Sequence, residues 1–215
     1  MAKICSLGEM ARHMREDGIG AYPTETFMAL GCRAGSATAV AGLYEAKRRP
    51  HRLPLPLIAA DRAQVESVAY LLPEAEKLME LFWPGPLSIL LPVCGLTPVA
   101  ASSGAGEVAV RIPSHSGARE LALAVGEPLV ASSANVSGAP PAKDAGSIDP
   151  ILLERVPLVW DAPPSPAGRL PSTLVRLLGG DAIQVLRRGA VSTQALKQAG
   201  FAVELVQTRR VELFQ

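Results

Sequence analysis

Apolar residues recur along the chain with two spacings, one typical of helices and one of buried strands. Within residues 36–48, Val40, Leu43 and Tyr44 lie three and four positions apart, which predicts a helix with one apolar face. Residues 87–93 form a short, largely apolar run, which is typical of a strand buried on both faces. Further strands are predicted at residues 20–22, 55–60, 108–112, 129–132, 158–160, 173–177 and 183–186.

Polar residues and prolines mark where the predicted helices begin and end. Ser6 and Glu9 have the spacing of a capping box, which opens a first helix that Gly18 ends. Asp61 caps a later helix, and Pro73 falls in the first turn of the next one. Further helices are predicted at residues 114–125 and from Ser192 onward.

Helices and strands alternate for most of the chain without an internal repeat. This order predicts an α/β protein, and the connection at residues 95–106 allows a mixed parallel and antiparallel sheet. Residues 138–150 and 162–171 are rich in proline, glycine and alanine and are predicted to be loops. Because no linker separates a second domain, we expect one domain over residues 1–200 and a short C-terminal tail over 201–215.

Composition excludes several classes of protein. The 215 residues carry a net charge of +1 and are 48% hydrophobic, which excludes a disordered chain. The same charge, with 4% aromatic residues, argues against a basic module that binds nucleic acid by phosphate attraction and base stacking. Cys5, Cys32 and Cys94 are scattered and odd in number, which fits reduced, buried thiols better than a disulfide or zinc site. With no apolar leader and no run long enough to span a bilayer, we expect a cytoplasmic protein without membrane contact.

The sequence motifs of common nucleotide and hydrolase sites are missing. The chain has no G-x-x-x-x-G-K-[ST], no G-x-G-x-x-G and no G-x-S-x-G. His13, His51 and His115 lie in unrelated contexts, and we interpret all three as solvated surface residues. The candidate chemistry therefore rests on four polar clusters, each in a loop or at the end of a predicted strand.

The first two clusters each allow two interpretations. Residues 22–26 bring Thr24 and a carboxylate just after a predicted strand, and on their own they favour a turn over a site. Residues 47–52 hold four cations and a histidine at the end of a helix. These charges either complement the helix dipole in solvent, or Lys47 and Arg49 project together and clamp a polyphosphate. Both interpretations stay open on the residues alone.

The other two clusters point to anion binding. In residues 132–138 the small side chains of Ser133 and Asn135 sit beside glycine, which suits a phosphate or ribose but also an ordinary capped turn. Arg111 is the only charge in residues 108–113, and a charge in an apolar strand is costly unless it is paired. It either meets an internal carboxylate or binds an anion in a cleft. Arg187, at another strand end, raises the same two options.

Seven short motifs occur in an order that resembles the YrdC-like family of threonylcarbamoyl-AMP synthases. They are Y-P-T-E-T at 22–26, K-x-R-P at 47–50, F-W-P-G-P-L at 82–87, V-R-I-P at 110–113, S-x-N-x-S-G at 133–138, S-T at 172–173 and L-R-x-G at 186–189. Each is weak alone, but together they cover about residues 5–195. The resemblance implies a single YrdC-like domain, in which the concave face of a twisted mixed sheet holds the active site.

The resemblance also implies a nucleotidyltransferase reaction. L-threonine, bicarbonate or CO2, and ATP would give threonylcarbamoyl-AMP and pyrophosphate, and downstream proteins would transfer the threonylcarbamoyl group to a tRNA adenosine. Magnesium is expected to arrive with ATP, held largely by substrate oxygens and water rather than by a protein motif. The transfer needs positioning and charge neutralisation more than a nucleophilic side chain, which fits a sequence without a catalytic triad.

Matching the motifs position by position implies a role for each candidate residue. Lys47 and Arg49 would contact the phosphates of ATP and serve as the catalytic cations, and Arg187 would add a further nucleotide contact. On the nucleotide side the resemblance also places Ser133 and Asn135. On the threonine side it places Thr24, Ser172 and Arg111, with Arg111 pairing the carboxylate.

Several positions depart from the family pattern. They are Met28, Ala29, Leu53, Ile58, Glu107 and Arg176. The resemblance implies that Glu107 stands near ATP, where a carboxylate would repel phosphate. These departures keep alternatives open: a non-catalytic paralogue that binds nucleotide, or a module that binds tRNA or double-stranded RNA weakly. Residues 138–143 are either a lid over ATP or an ordinary surface loop. With no room for a further C-terminal domain, we expect a stand-alone synthase.

Overall fold

The computed structural model describes residues 3–50, 53–94 and 106–206. Its helices are α1 (Leu7–Arg15), α2 (Ala37–Lys47), α3 (Arg62–Glu66), α4 (Pro73–Phe82), α5 (Ser116–Val125), α6 (Pro150–Leu153) and α7 (Thr193–Gln198). Its strands are β1 (Lys3–Ile4), β2 (Gly20–Pro23), β3 (Met28–Gly31), β4 (Leu57–Ile58), β5 (Leu87–Pro92), β6 (Glu107–Arg111), β7 (Leu129–Val130), β8 (Ser132–Ser133), β9 (Leu158–Val159), β10 (Thr173–Gly179), β11 (Ala182–Arg187) and β12 (Ala202–Leu205).

Hydrogen bonds arrange the described strands into two sheets. One has the order β1-β9-β2-β3-β8, and the other has the order β12-β11-β10-β5-β6-β4-β7. Both combine parallel and antiparallel pairs, so the predicted α/β class and mixed strand directions are confirmed. The predicted strand at 129–132 breaks at Ala131, whose N–H donates to the carbonyl of Pro56 at 2.9 Å. The chain passes from one sheet to the other at this residue.

The two faces of the seven-stranded sheet are covered differently. Leu87, Ile89 and Leu91 on β5 point into the main core, which also contains the apolar face of α2. Leu90, on the opposite face of the same strand, belongs to a small separate cluster with Ala109, Leu174 and Leu186. This less covered face adjoins the candidate site, because Leu90, Ala109 and Leu174 lie beside Arg49 and Arg187.

Side-chain caps set the helix boundaries largely as the sequence predicts. Ser6 and Glu9 form both bonds of the capping box at α1, and Asp61 and Ser192 cap α3 and α7. Pro73 is at the first turn of α4.

His115 is a correction to the sequence analysis. It is 2% exposed rather than solvated, and its Nδ1 accepts the N–H of Ala118 at 3.1 Å as the N-cap of α5. Its Nε2 lies 3.0 Å from the carbonyl oxygen of Pro164, so Nε2 carries the proton and donates. An imidazole can serve here because a cap needs only one acceptor atom. His13 is half-buried, and its Nε2 lies 3.2 Å from the carbonyl oxygen of Ile19, while His51 lies outside the described residues.

Other differences fall at strand ends and in loops. The strand predicted at 55–60 is shortened to β4, and β1, β3 and β12 were not predicted. β12 pairs with β11 inside the segment predicted as a tail, while residues 207–215 and the connection at 95–105 lie outside the described residues. No helix in the described part of the chain is long and apolar enough to cross a membrane.

Candidate anion-binding cleft

A cleft lies where strand ends from both sheets meet. Its walls come from the turn after β2, the start of β3, the β7–β8 junction and the ends of β6 and β11. Six of the eight sequence-predicted site residues line it: Thr24, Arg49, Arg111, Ser133, Ser172 and Arg187. The remaining two, Lys47 and Asn135, contact its wall from behind.

Three arginines give the cleft its charge. Arg49 follows α2, while Arg111 and Arg187 end strands β6 and β11. The described residues that line the cleft include no acidic side chain. Burial, with the nearby charges of Arg111 and Arg49, lowers the pKa of Arg187 to about 10. Arg187 is therefore still protonated near neutral pH, and the cleft is suited to an anion.

Arg111 is paired with an internal carboxylate, which is the first of the two options that the sequence left open. Its side chain is 4% exposed, and its Nε donates to Oε1 of Glu25 at 3.1 Å. It also lines the cleft. The charge in an apolar strand is thus paired with an internal carboxylate and still faces the space where an anion can bind.

Thr24 forms the turn that shapes one wall. Its Oγ1 donates to the carbonyl of Phe27 at 2.8 Å and accepts the backbone N–H groups of Thr26 and Phe27 at 3.3 and 3.4 Å. These bonds leave it little capacity for a ligand. Thr26 lines the same wall, and its Oγ1 lies 3.1 Å from that of Thr24. Sequence reasoning singled out Thr24 alone, although the motif also contains Thr26.

Ser172 and Arg187 are held together. Nη2 of Arg187 donates to Oγ of Ser172 at 2.9 Å, and Nε donates to the Ser172 carbonyl at 3.1 Å. Oγ of Ser88 lies 3.0 Å from Oγ of Ser172. Gly189 packs directly on this segment, since a Cβ there would lie 2.3 Å from the carbonyl oxygen of Pro171. Two predicted residues from separate motifs therefore form one unit.

Lys47 does not face the cleft beside Arg49. It is 1% exposed, and its Nζ donates to the carbonyl oxygens of Ser133 and Asn135. Arg49 instead donates to the carbonyl oxygens of Leu53 and Pro54. The expectation that the two cations project together is wrong, because each bonds different backbone oxygens. Burial, and secondarily the charge of Arg49, lowers the pKa of Lys47 to about 7.

Asn135 and Ser133 form a small network above Lys47. Ser133 Oγ donates to Oδ1 of Asn135, and Nδ2 of Asn135 donates to the carbonyl oxygens of Val136 and Ala139 at 2.9 and 2.6 Å. The bond to Ala139 fixes the start of the candidate lid at 138–143 to Asn135. Its other end is tied by the carbonyl of Ala142, which accepts the N–H of Met28 at 3.0 Å.

A wider outer arm adjoins the cleft and shares Phe27, Ser133 and Arg187 with it. Arg169 and Arg188, both exposed, line this arm together with an apolar wall. Sequence reasoning did not single out Arg169 or Phe27. Arg188 stood beside Arg187 in the L-R-x-G motif, but only the structure shows that it lines the arm.

Five of the six departures from the family pattern fall into two groups. Met28 and Ala29 line the cleft, and Ile58 is buried beside Arg111 in the register of β4 and β6. Glu107 and Arg176 pair with each other at 2.9 Å and are not among the described cleft-lining residues. The carboxylate of Glu107 is thus directed to Arg176 rather than to the cleft. The sixth departure, Leu53, accepts the Nε–H of Arg49 through its backbone carbonyl oxygen.

The protein groups in the cleft do not suit a resident divalent cation. Its polar lining consists of hydroxyl and guanidinium groups, and the described residues contain no cluster of three or more His, Cys, Asp or Glu side chains placed to hold a metal. Hard cations such as magnesium prefer carboxylate and carbonyl oxygens. We therefore assign no protein ligand to magnesium.

The fold and cleft define an α/β protein with an arginine-lined cleft where the strand ends of two mixed sheets meet. A family model described as telomere recombination, covering Sua5, YciO and YrdC proteins, matches residues 12–189. The chain belongs to this Sua5/YciO/YrdC family.

Individual relatives agree with this assignment. The chain is 34% identical to a threonylcarbamoyl-AMP synthase of Pyrococcus abyssi over 87% of its own length and 55% of that protein. It is 35% identical to a synthase of Bacillus subtilis over 89% of its length and 55% of that protein. The solved structure of P. abyssi Sua5 complexed with L-threonine superposes with a TM-score of 0.85 at 31% identity, covering 93% of this chain and 58% of that one. The chain thus spans about half the length of these relatives.

Proposed function

We propose that this protein makes L-threonylcarbamoyl-AMP from L-threonine, bicarbonate or CO2, and ATP, with release of pyrophosphate. The observation that carries the proposal is the convergence of Arg49, Arg111 and Arg187 on one cleft whose described lining has no acidic side chain. Such a site neutralises several anionic groups at once. The names of the relatives support this reaction, and a relative solved with L-threonine supports the amino acid as substrate.

Each end of the cleft has its own task in this proposal. Arg111 binds the threonine carboxylate, and Ser172 and Thr24 shape the adjoining walls. Arg49 and Arg187 contact the phosphates. Arg187 is partly buried, and its hydrogen bonds to Ser172 fix the direction of its side chain. Ser133 and Asn135 form the nucleotide side. Lys47 donates to the backbone carbonyl oxygens of these two residues. A direct contact between Lys47 and a phosphate therefore requires that these hydrogen bonds break.

The chemistry then depends on placement. The threonine amine loses a proton and captures CO2 as a carbamate, and a carbamate oxygen attacks the α-phosphorus as pyrophosphate departs in line. Bringing these groups together supplies much of the rate, and the arginines stabilise charge on the phosphoryl oxygens. Magnesium, arriving on the phosphates, would offset further charge there.

The product defines the partners in this proposal. Threonylcarbamoyl-AMP is an activated acyl adenylate, so transfer proteins that act on tRNA would consume it. Reaction with cytoplasmic tRNA would place the protein in the cytoplasm.

The test measures pyrophosphate release from ATP while one substrate at a time is omitted. Release should require threonine and bicarbonate together, and Arg49→Ala or Arg187→Ala should abolish it while circular dichroism stays unchanged. Pyrophosphate release that does not depend on threonine, or full activity in both variants, would refute the proposal.

A second candidate is a module that binds RNA. The exposed Arg169 and Arg188 on the outer arm favour it, since they extend the positive surface beyond the cleft. A salt titration of tRNA binding separates the two candidates. A steep loss of affinity with salt and no ATP turnover would favour the module.

A further inference from the structure

Glu25 is an acidic side chain that contacts a cleft arginine. Its Oε1 accepts the Nε–H of Arg111 at 3.1 Å, and the two side chains are 14% and 4% exposed. It lies in the turn between Thr24 and Thr26, which line the cleft, but is not itself part of the cleft lining. The carboxylate therefore contacts the arginine without standing in the space for a ligand.

The hydrogen bond to Glu25 leaves the outer edge of the Arg111 guanidinium, which is formed by its two Nη groups, available for a ligand. In the part of the chain that the structure describes, Arg111 has no hydrogen-bond acceptor other than Glu25. The bond uses Nε, so the two Nη groups, which carry most of the N–H donors of a guanidinium, remain for the cleft. Parallel N–H groups of this kind bind a carboxylate through two bonds.

Two further observations favour a functional role over a purely structural one. Oε2 of Glu25 is buried and has no hydrogen-bond partner among the described residues. A buried carboxylate oxygen without a donor lowers stability, so the pair is not optimised for stability. In addition, the like charges of Arg111 and Arg49 lower the pKa of Arg187, and keeping these three cations close together lowers stability.

We propose that Glu25 is a positioning residue that holds the guanidinium of Arg111 with its outer edge toward the amino-acid carboxylate. The proposal rests on the proposed function, which supplies threonine as that amino acid. Glu25 acts through Arg111 and does not touch the substrate.

Two variants separate geometry from charge. Glu25→Ala removes the acceptor and the charge, whereas Glu25→Gln keeps an oxygen for Nε and removes only the charge. Glu107→Gln is the matched control, because Glu107 also pairs with an arginine, Arg176 at 2.9 Å, but outside the described cleft lining.

The first measurement compares the KM for threonine with the KM for ATP in the pyrophosphate-release assay. Glu25→Ala should raise the threonine KM about ten- to one-hundredfold, the range of a charge-assisted hydrogen bond, and leave the ATP KM nearly unchanged. Glu25→Gln should raise it a few-fold, and Glu107→Gln should change neither value. If Glu25→Ala does not fold, the comparison between the two glutamine variants decides.

The second measurement observes Arg111 without any substrate. In protein with ¹⁵N-labelled arginine, the Nε–H signal of Arg111 is assigned by its loss in Arg111→Lys. Glu25→Ala should shift this signal and speed its exchange with water, whereas Glu107→Gln should leave it in place.

The outcomes distinguish this proposal from the proposed function. An unchanged threonine KM in an active, folded Glu25→Ala variant, or an unchanged Nε–H signal, overturns the role of Glu25 alone. Equal rises in both KM values overturn it as well. A wild-type protein that neither releases pyrophosphate nor binds threonine overturns the proposed function and, with it, the substrate named here.

Discussion

Arg176 on β10 donates from Nη2 to Oε2 of Glu107 on β6 at 2.9 Å, across the intervening strand β5. Both positions depart from the family pattern, and in the sequence Glu107 suggested a carboxylate that repels phosphate. The structure pairs the two departures with each other, and neither is among the described residues that line the cleft. The guanidinium of Arg176 therefore offsets the charge of the Glu107 carboxylate, and neither group changes the positive lining of the cleft.

This pairing predicts little effect on ATP binding when Glu107 is replaced. Both side chains are partly exposed, so a double-mutant cycle of Glu107→Gln and Arg176→Gln should give a coupling below about 1 kcal/mol in urea unfolding. In Glu107→Gln the KM for ATP should stay within a factor of about two, because the Glu107 carboxylate is directed away from the cleft. A marked improvement in ATP binding on loss of the carboxylate would show that Glu107 does face the phosphates.

Gly189 should tolerate no side chain. A Cβ would lie 2.3 Å from the Pro171 carbonyl oxygen and 2.5 Å from the Ser172 carbonyl carbon, both backbone atoms that cannot move without displacing Ser172. Gly189→Ala should cost about 1–3 kcal/mol of unfolding free energy and lower the rate of pyrophosphate release.

Gly8→Ala is the matched control for this substitution. Nothing lies within 4 Å of a Cβ at Gly8, which is in the first turn of α1. It should stabilise the protein by up to about 1 kcal/mol, because alanine favours a helix over glycine. Similar effects of both substitutions would contradict the packing described around Ser172.

The buried ammonium of Lys47 predicts a pH-dependent stability. Burial lowers its pKa to about 7, whereas in the unfolded chain it returns to about 10.4. Between these values the unfolded state binds more protons, so the free energy of unfolding rises with pH. Between pH 7 and pH 9, the titration of Lys47 should raise the free energy of unfolding by about 2 kcal/mol, as measured by urea unfolding.

Lys47→Met should remove this slope, whatever it does to stability at a single pH. Lys197→Met is the control, because Lys197 is exposed near the end of α7. A wild-type slope that persists in Lys47→Met would show that another group is responsible.

His115 should contribute to stability through its cap. His115→Ala removes the acceptor for the Ala118 N–H and the bond to Pro164, and should lower the unfolding free energy by about 1–2 kcal/mol. His115→Asn should lose less, since asparagine is a good N-cap. Equal losses in the two variants would mean that the cap is not what His115 supplies.

The sequence predicts the parts of this protein that depend on local pattern. The capping box at Ser6 and Glu9 and the apolar run of β5 are confirmed because each follows from neighbouring residues. His115 and β12 were not predicted, since a buried imidazole cap and an edge strand depend on contacts with distant segments.

The candidate site shows the same division. Six of the residues predicted from the motifs line one cleft, because the strand ends that carry them meet at the edges of the sheets. Spacing could not show that Lys47 turns away toward Ser133 and Asn135, because that direction is set by a loop almost ninety residues away. Nor could it show that Glu25 bonds Arg111, since the two are separated by 86 residues.

The central claim is tested most directly by following the carbon of bicarbonate into the product. The protein is incubated with ATP, L-threonine and ¹³C-bicarbonate, and the mixture is analysed at once by mass spectrometry. The proposed reaction predicts an AMP-linked threonine adduct that carries the label in its carbamoyl carbon, is formed together with pyrophosphate and is absent in Arg111→Ala. ATP consumption with no labelled adduct, or an adduct formed equally well without threonine, would contradict it.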